Sequence, residues 1–182
     1  GYGNSVGTAI PSVDVKILSE AQTLAKTDEV GEIICKTPML FSAYFKQLEA
    51  TKASMWGGYF CTGDIGRLDE HGYLTFLGRK KDIIITGGMN IYPKDIEDVL
   101  NSHSLIQESA VIGLDDEALG EKITAVIVFK PGQTVDVREL KRLCAKKLAD
   151  FQQPRHYIIT DSLPKSPMGK VMKQRLIKSY SV

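Results

Sequence analysis

Gly78-Arg79-Lys80-Lys81-Asp82-Ile83-Ile84-Ile85-Thr86-Gly87-Gly88-Met89-Asn90 is the stretch on which the reading of the chain turns. A dense charged knot runs straight into three isoleucines and then a glycine pair. Charge at such density belongs to solvent, whereas a β-branched run belongs to a pleated, half-buried surface. The abrupt change marks a junction between two folded units. Residues 1–80 read as a small β-rich unit and residues 81–182 as a compact α+β unit, so the fold class is α+β.

The upstream half is strand-rich. Val13-Asp14-Val15-Lys16-Ile17 alternates with period two, as a half-buried strand does. Gly31 to Cys35 reads as a second strand and Phe41 to Phe45 as a third. Gln47 to Met55 reads as a short helix. Tyr59-Phe60 leads into Thr62-Gly63-Asp64, which reads as a tight glycine turn. Ile65–Leu68 and Tyr73–Leu77, joined through Asp69-Glu70-His71-Gly72, predict a hairpin. Beyond Asp82, strands and helices interleave. Pro93 suits a first helical turn, and Ile96, Val99 and Leu100 then share a face. Ser109–Leu114 and Lys122–Phe129 read as strands. Asp136 and Glu139 have capping-box spacing before a helix carrying Val137, Leu140, Leu143 and Leu148. His156–Thr160 reads as a strand and Gln174–Tyr180 as a last helix.

Composition bounds the function. The 182 residues are 43% hydrophobic, enough for packed cores, and the net charge of +1 gives no general attraction to nucleic acid or anionic lipid. Cys35, Cys61 and Cys144 lack metal-type spacing and read as buried or free thiols of a reducing compartment. His71, His103 and His156 are scattered singly, so no metal site is expected. No apolar run has the length of a membrane span, roughly 20 residues, and no signal peptide is visible. The start, Gly1-Tyr2-Gly3-Asn4, lacks an initiator Met and suggests a piece of a longer protein. A cytoplasmic location is expected, compatible with peripheral membrane association.

Three elements carry chemistry. The carboxylate of Thr62-Gly63-Asp64 suits two vicinal hydroxyls, as on a ribose; its local alternative is to satisfy its own turn. Arg79 offers a guanidinium fork for ribose or phosphate oxygens, and its alternative is a solvated basic run. In Pro164-Lys165-Ser166-Pro167-Met168-Gly169-Lys170, two prolines stiffen the approach and a glycine permits a bend, which presents Lys170 at a loop tip. A lysine there is a point charge for a reacting phosphate. The stretch lacks the full P-loop pattern.

Taken in order, these pieces resemble the adenylate-forming enzymes, comprising acyl-CoA synthetases, luciferases and peptide-synthetase adenylation domains. The likeness runs through Ser5-Val6-Gly7-Thr8-Ala9-Ile10-Pro11, Gly31-Glu32-Ile33, Tyr44, Tyr59-x-x-Thr62-Gly63-Asp64, Gly78-Arg79-Lys80-Lys81-Asp82, Gly87 to Glu97, Leu163-Pro164-Lys165 and Gly169-Lys170. Asn90-Ile91-Tyr92-Pro93 with Ile96-Glu97 looks most like the fatty-acyl-CoA ligase branch. The resemblance implies two steps: a carboxylate attacks the α-phosphate of ATP to give acyl-AMP, and a thiol, usually of CoA, then displaces AMP. It implies that Asp64, with Arg79 beside it, holds the ribose of ATP or AMP. Lys170 would be the catalytic lysine of the first step, Lys81 the hinge, and Gly87 and Gly88 the wall of the pantetheine path. The phosphate loop, the magnesium-linked glutamate and the acyl pocket belong upstream of this sequence in that family. Mg2+ therefore has no ligands here, and the chain alone is expected to be inactive. Lys170 also stands in P-x-x-x-x-G-K, which resembles the recognition pattern of bacterial lysine acetyltransferases.

Other readings stand beside this one. An acyl- or aryl-AMP ligase serving a carrier protein shares the same parts, although the sequence ends soon after Lys170 without a carrier domain. Ile85 replaces the second lysine of the luciferase pattern, which disfavours luciferase chemistry. A non-catalytic nucleotide-sensing or docking module would need the α+β unit but not Thr62-Gly63-Asp64.

Overall fold

The structure, a computed structural model, describes residues 5–181; Gly1–Asn4 and Val182, including the uncharacteristic start, lie outside the described residues. The chain divides between Lys81 and Asp82 into two compact units.

The first unit is an antiparallel sheet. Its elements are β1 (Ser5–Gly7), β2 (Asp14–Leu18), β3 (Gly31–Lys36), α1 (Leu48–Ala53), β4 (Met55–Trp56), β5 (Tyr59–Leu68) and β6 (Leu74–Arg79). The strand order is β1-β6-β5-β3-β2, with β4 pairing β5 at the side. The alternating strand predicted at residues 13–17 is β2, and Ile17 and Leu18 pack with Ile33, Ile34, Ile65 and Leu77 in the core. The β5–β6 hairpin closes through Asp69, whose Oδ1 accepts from the backbone N–H groups of His71 (2.9 Å) and Tyr73 (2.8 Å). That side-chain turn fixes the register of the two longest neighbours in the sheet.

Two local expectations fail in this unit. Phe41–Phe45 is not a strand. β3 is already paired on both sides by β2 and β5, and Phe41–Phe45 pairs with no strand of the sheet. Phe41 instead stacks on Tyr44 and Phe60, at centroid separations of 4.8 and 5.3 Å. Nor is Thr62-Gly63-Asp64 a turn. It lies within β5, where β5 runs from Cys61 to Ile65 while β3 advances only from Ile34 to Glu32. The surplus residues form a β-bulge, with Gly63 at φ +72°. A bulge re-aims a side chain without ending the strand.

The second unit has three layers. Its elements are β7 (Ile84–Thr86), β8 (Met89–Ile91), α2 (Pro93–Asn101), β9 (Ile106–Asp116), β10 (Gly120–Phe129), α3 (Val137–Lys147), β11 (His156–Ile159) and α4 (Lys173–Tyr180). The sheet runs β11-β10-β7-β8, with β9 also on β10; β11 alone among these pairs is parallel. β9 and β10 are buried on both faces, which is why they read as nearly continuous apolar runs. Val111, Ile123, Ala125 and Ile127 pack under Ile96 and Leu100 of α2 and Leu140 and Cys144 of α3. Ala110, Ile112, Leu114, Val126 and Val128 face Leu163 and Leu176 of α4. Burying one such side chain stabilises the fold by roughly 1.5–3 kcal/mol.

Helix starts follow the sequence with one exception. Pro93 opens α2 at its first turn, and the Asp136 carboxylate caps α3 by accepting from Arg138 N–H at 2.8 Å. Glu139 does not complete a capping box; its Oε1 lies 3.2 Å from Nε2 of His103. A tertiary partner with opposite or acquirable charge outcompetes the local backbone donor. Glu97 ties three elements together. Its Oε1 accepts from Val111 N–H of β9 (2.8 Å) and meets Lys173 Nζ of α4 (2.7 Å).

The cysteines are free thiols, and burial raises the pKa of each above its ordinary value, which suppresses the thiolate and its reactivity.

Candidate active site

The bulge in β5 builds the first half of the site. Thr62 Oγ1 donates to Ile33 O (2.7 Å) and accepts from Asp64 N–H (3.1 Å). Gly63 N–H donates to Glu32 Oε1 at 3.0 Å. These bonds replace the ladder pairing that the bulge interrupts, as buried backbone groups require. Asp64 then stands directly across from Arg79 on β6, with Arg79 Nε 2.9 Å from Asp64 Oδ1. Arg79 also reaches Thr62 O at 3.5 Å.

Asp64 Oδ1 is buried and receives no directed hydrogen bond among the described residues. Arg79 Nε supplies opposite charge at 2.9 Å without aiming its N–H at that oxygen. Alongside it an open cleft of about 370 Å³ is lined by Gly63, Arg79, Lys80 and Lys81. Its lining is cationic, which suits an anionic ligand. Lys81 is exposed, within a 3-10 turn (Lys80–Asp82) at the boundary between the units.

In the second unit, Gly87 and Gly88 form the two-residue tip of the β7–β8 hairpin, between Thr86 and Met89. Both have positive φ, +55° and +77°, which is the geometry that two-residue hairpins of the mirror-image type demand. The tip is braced by Gly87 N–H donating to Leu119 O at 2.9 Å. Ile85 and Met89 flank it with exposed apolar surface.

Lys170 sits on a second tight hairpin. Ser166-Pro167-Met168-Gly169 forms a β-turn in which Gly169 N–H donates to Ser166 O (2.8 Å). Proline at the second position and glycine at φ +78° both fit such a turn followed by a bulge. Ser166 N–H donates to Lys170 O (2.8 Å), and Ser166 Oγ accepts from Lys170 N–H (3.2 Å). At its base, Lys165 pairs with Glu108 of β9 at 2.8 Å, and Leu163 is buried against α4. The backbone of Lys170 is therefore fixed while its side chain is exposed. Its ammonium forms no ion pair among the described residues.

Asp64 and Arg79 come together in the first unit; Gly87, Gly88 and Lys170 belong to the second. Sequence reasoning passed over Glu32, Lys80 and Ser166, which hold these groups in place. A charged residue inside an otherwise apolar strand, Glu32 between Gly31 and Ile33, was the available signal. Among the described residues no cluster of three or more His, Cys, Asp or Glu is placed to hold a metal ion. No helix among them is long and apolar enough to cross a membrane.

Residues 95–170 match the family model for the AMP-binding enzyme C-terminal domain. The long-chain-fatty-acid–CoA ligase of Bacillus subtilis (strain 168) is 41% identical over 175 residues, covering 96% of this chain and 31% of that protein. A 2-succinylbenzoate–CoA ligase of Geobacillus sp. (strain WCH70) is 38% identical over 94% of this chain and 35% of its own length. The structure of ATP-bound MatB from Rhodopseudomonas palustris superposes with a TM-score of 0.92 at 38% identity, covering 97% of this chain and 36% of that one. The chain thus spans about a third of the length of the relatives it matches.

Proposed function

This chain belongs to the adenylate-forming enzymes, and from that premise we propose that it is the nucleotide-clasping and lid portion of a longer carboxylic acid–CoA ligase. One observation carries the proposal: the Asp64 carboxylate, turned by the β5 bulge to face Arg79, stands alongside a cationic cleft. Asp64 accepts the ribose hydroxyls of ATP and then of AMP, and Arg79 supplies charge next to it. Lys170 stands between the substrate carboxylate and the α-phosphate as they approach. The carboxylate oxygen forms a bond to phosphorus, pyrophosphate leaves, and the product is an acyl-AMP anhydride. The CoA thiolate next attacks the acyl carbon and AMP leaves. In that step the Gly87–Gly88 tip lines the path of the pantetheine arm, and rotation at Lys81 exchanges one presenting part for the other.

The acid is read as a fatty acid, supported by 41% identity to a ligase named for long-chain fatty acids. An aryl acid is the competing reading, supported by 38% identity to a ligase named for 2-succinylbenzoate. The same reading places the enzyme in the cytoplasm and makes exposed Lys170 a target for a lysine acetyltransferase. It also holds that these 182 residues alone form no acyl-CoA; ATP-dependent thioester formation by the isolated chain would contradict it.

The test is Asp64→Ala in the full-length enzyme, assayed with fatty and aryl acids. Losing a charged hydrogen-bond acceptor for ribose raises KM for ATP roughly tenfold or more, with a smaller change in kcat. An unchanged KM for ATP would remove Asp64 from the nucleotide site.

A further inference from the structure

Glu32 is a carboxylate in the interior of β3, only 9% exposed. A buried charge is tolerated when its oxygens are paired, and both are. Oε1 accepts from Gly63 N–H at 3.0 Å, and Oε2 meets Lys80 Nζ at 2.8 Å. The two partners come from different segments, one within β5 and the other in the 3-10 turn after β6. Gly63 precedes Asp64 on β5, and Lys80 directly follows Arg79, the last residue of β6. One side chain thus grips both segments that present the Asp64–Arg79 pair. The next residue of β3 adds a third tether, since Ile33 O accepts from Thr62 Oγ1 at 2.7 Å.

We propose that Glu32 is a positioning residue for nucleotide recognition: through Gly63 and Lys80 it sets the bulge that aims the Asp64 carboxylate at the ribose hydroxyls. The inference rests on the ribose-binding reading of Asp64. Without Glu32, Gly63 N–H loses its acceptor and Lys80 its counter-charge, and the bulge relaxes toward regular pairing. The effect is confined to ligands that use the hydroxyls. A purely structural role weakens binding of every nucleotide alike.

The experiment compares ATP with 2′,3′-dideoxy-ATP in the full-length enzyme, measuring KM and kcat for acyl-adenylate formation in wild type, Glu32→Ala, Glu32→Gln and Lys80→Met. Wild type is expected to prefer ATP over the dideoxy nucleotide by roughly tenfold or more. Glu32→Ala raises KM for ATP by about that factor and leaves the dideoxy value nearly unchanged, so the preference collapses toward one, as for two changes to one interaction. Glu32→Gln retains an oxygen for Gly63 N–H and Lys80→Met removes only the ion pair. Each is expected to lose about half of the preference on a logarithmic scale, and they carry the comparison should Glu32→Ala fail to fold. A wild-type preference that persists in all variants that fold overturns the inference and leaves the Asp64 reading intact. No preference in wild type overturns the Asp64 reading and the inference with it.

Discussion

Lys170→Ala is expected to slow acyl-adenylate formation by roughly 10²–10³-fold, the loss typical of removing one preorganised charge or donor from a reacting oxyanion. The cause is electrostatic. A carboxylate and an α-phosphate must approach to bonding distance, and two like charges 4 Å apart repel by about 4 kcal/mol at an effective dielectric near 20. A lysine ammonium between them turns that repulsion into attraction. The tight hairpin strengthens the effect, because Ser166 holds the Lys170 backbone at both its N–H and its C=O. Less backbone freedom is then lost in reaching the reactive geometry. ATP–pyrophosphate exchange by the full-length enzyme measures the step directly. Acetylation of Lys170 removes the same charge and is expected to depress exchange in parallel. Exchange within a few-fold of wild type would exclude Lys170 from the reacting centre.

Lys81→Pro is expected to have the opposite selectivity. Proline fixes φ near −65°, a value that suits the 3-10 turn in which Lys81 sits. Rotation about the N–Cα bond of residue 81 is removed. If exchange of Lys170 for the Gly87–Gly88 tip requires that rotation, acyl-AMP still forms at close to the wild-type rate. Thioester formation falls by roughly 10²-fold, since misplacing a positioned group costs about that much. Single-turnover assays of each step, with circular dichroism to establish that the variant folds, give the comparison. Equal loss in both steps would point to a folding defect, and no loss in either would place the hinge elsewhere.

Much of the second unit was legible because its signals are local and agree with one another. Pro93 with Ile96 and Leu100 defines α2, and the apolar runs of β9 and β10 match a sheet covered on both faces. The bulge at Thr62-Gly63-Asp64 was not legible as such. A glycine between polar residues signals a turn or a bulge equally, and only the partner strand decides, here through Glu32 and Ile33. The aromatic run Phe41–Phe45 has strand propensity, yet its rings pack on one another and on Phe60 instead of pairing with a strand. Glu139 has the spacing of a capping box, yet His103 arrives from elsewhere in the chain to claim it. The residues proposed to react were read from motif and chemistry. Those that hold them, Glu32, Lys80 and Ser166, act through contacts between segments distant in sequence or through a turn whose form depends on its surroundings.

The most direct test supplies Lys170→Ala enzyme with synthetic acyl-AMP and CoA, bypassing ATP altogether, and follows acyl-CoA release. A lysine that serves only the first step predicts thioester formation close to the wild-type rate in an enzyme that can no longer make its own adenylate. Equal crippling of the bypassed reaction would contradict that division of labour.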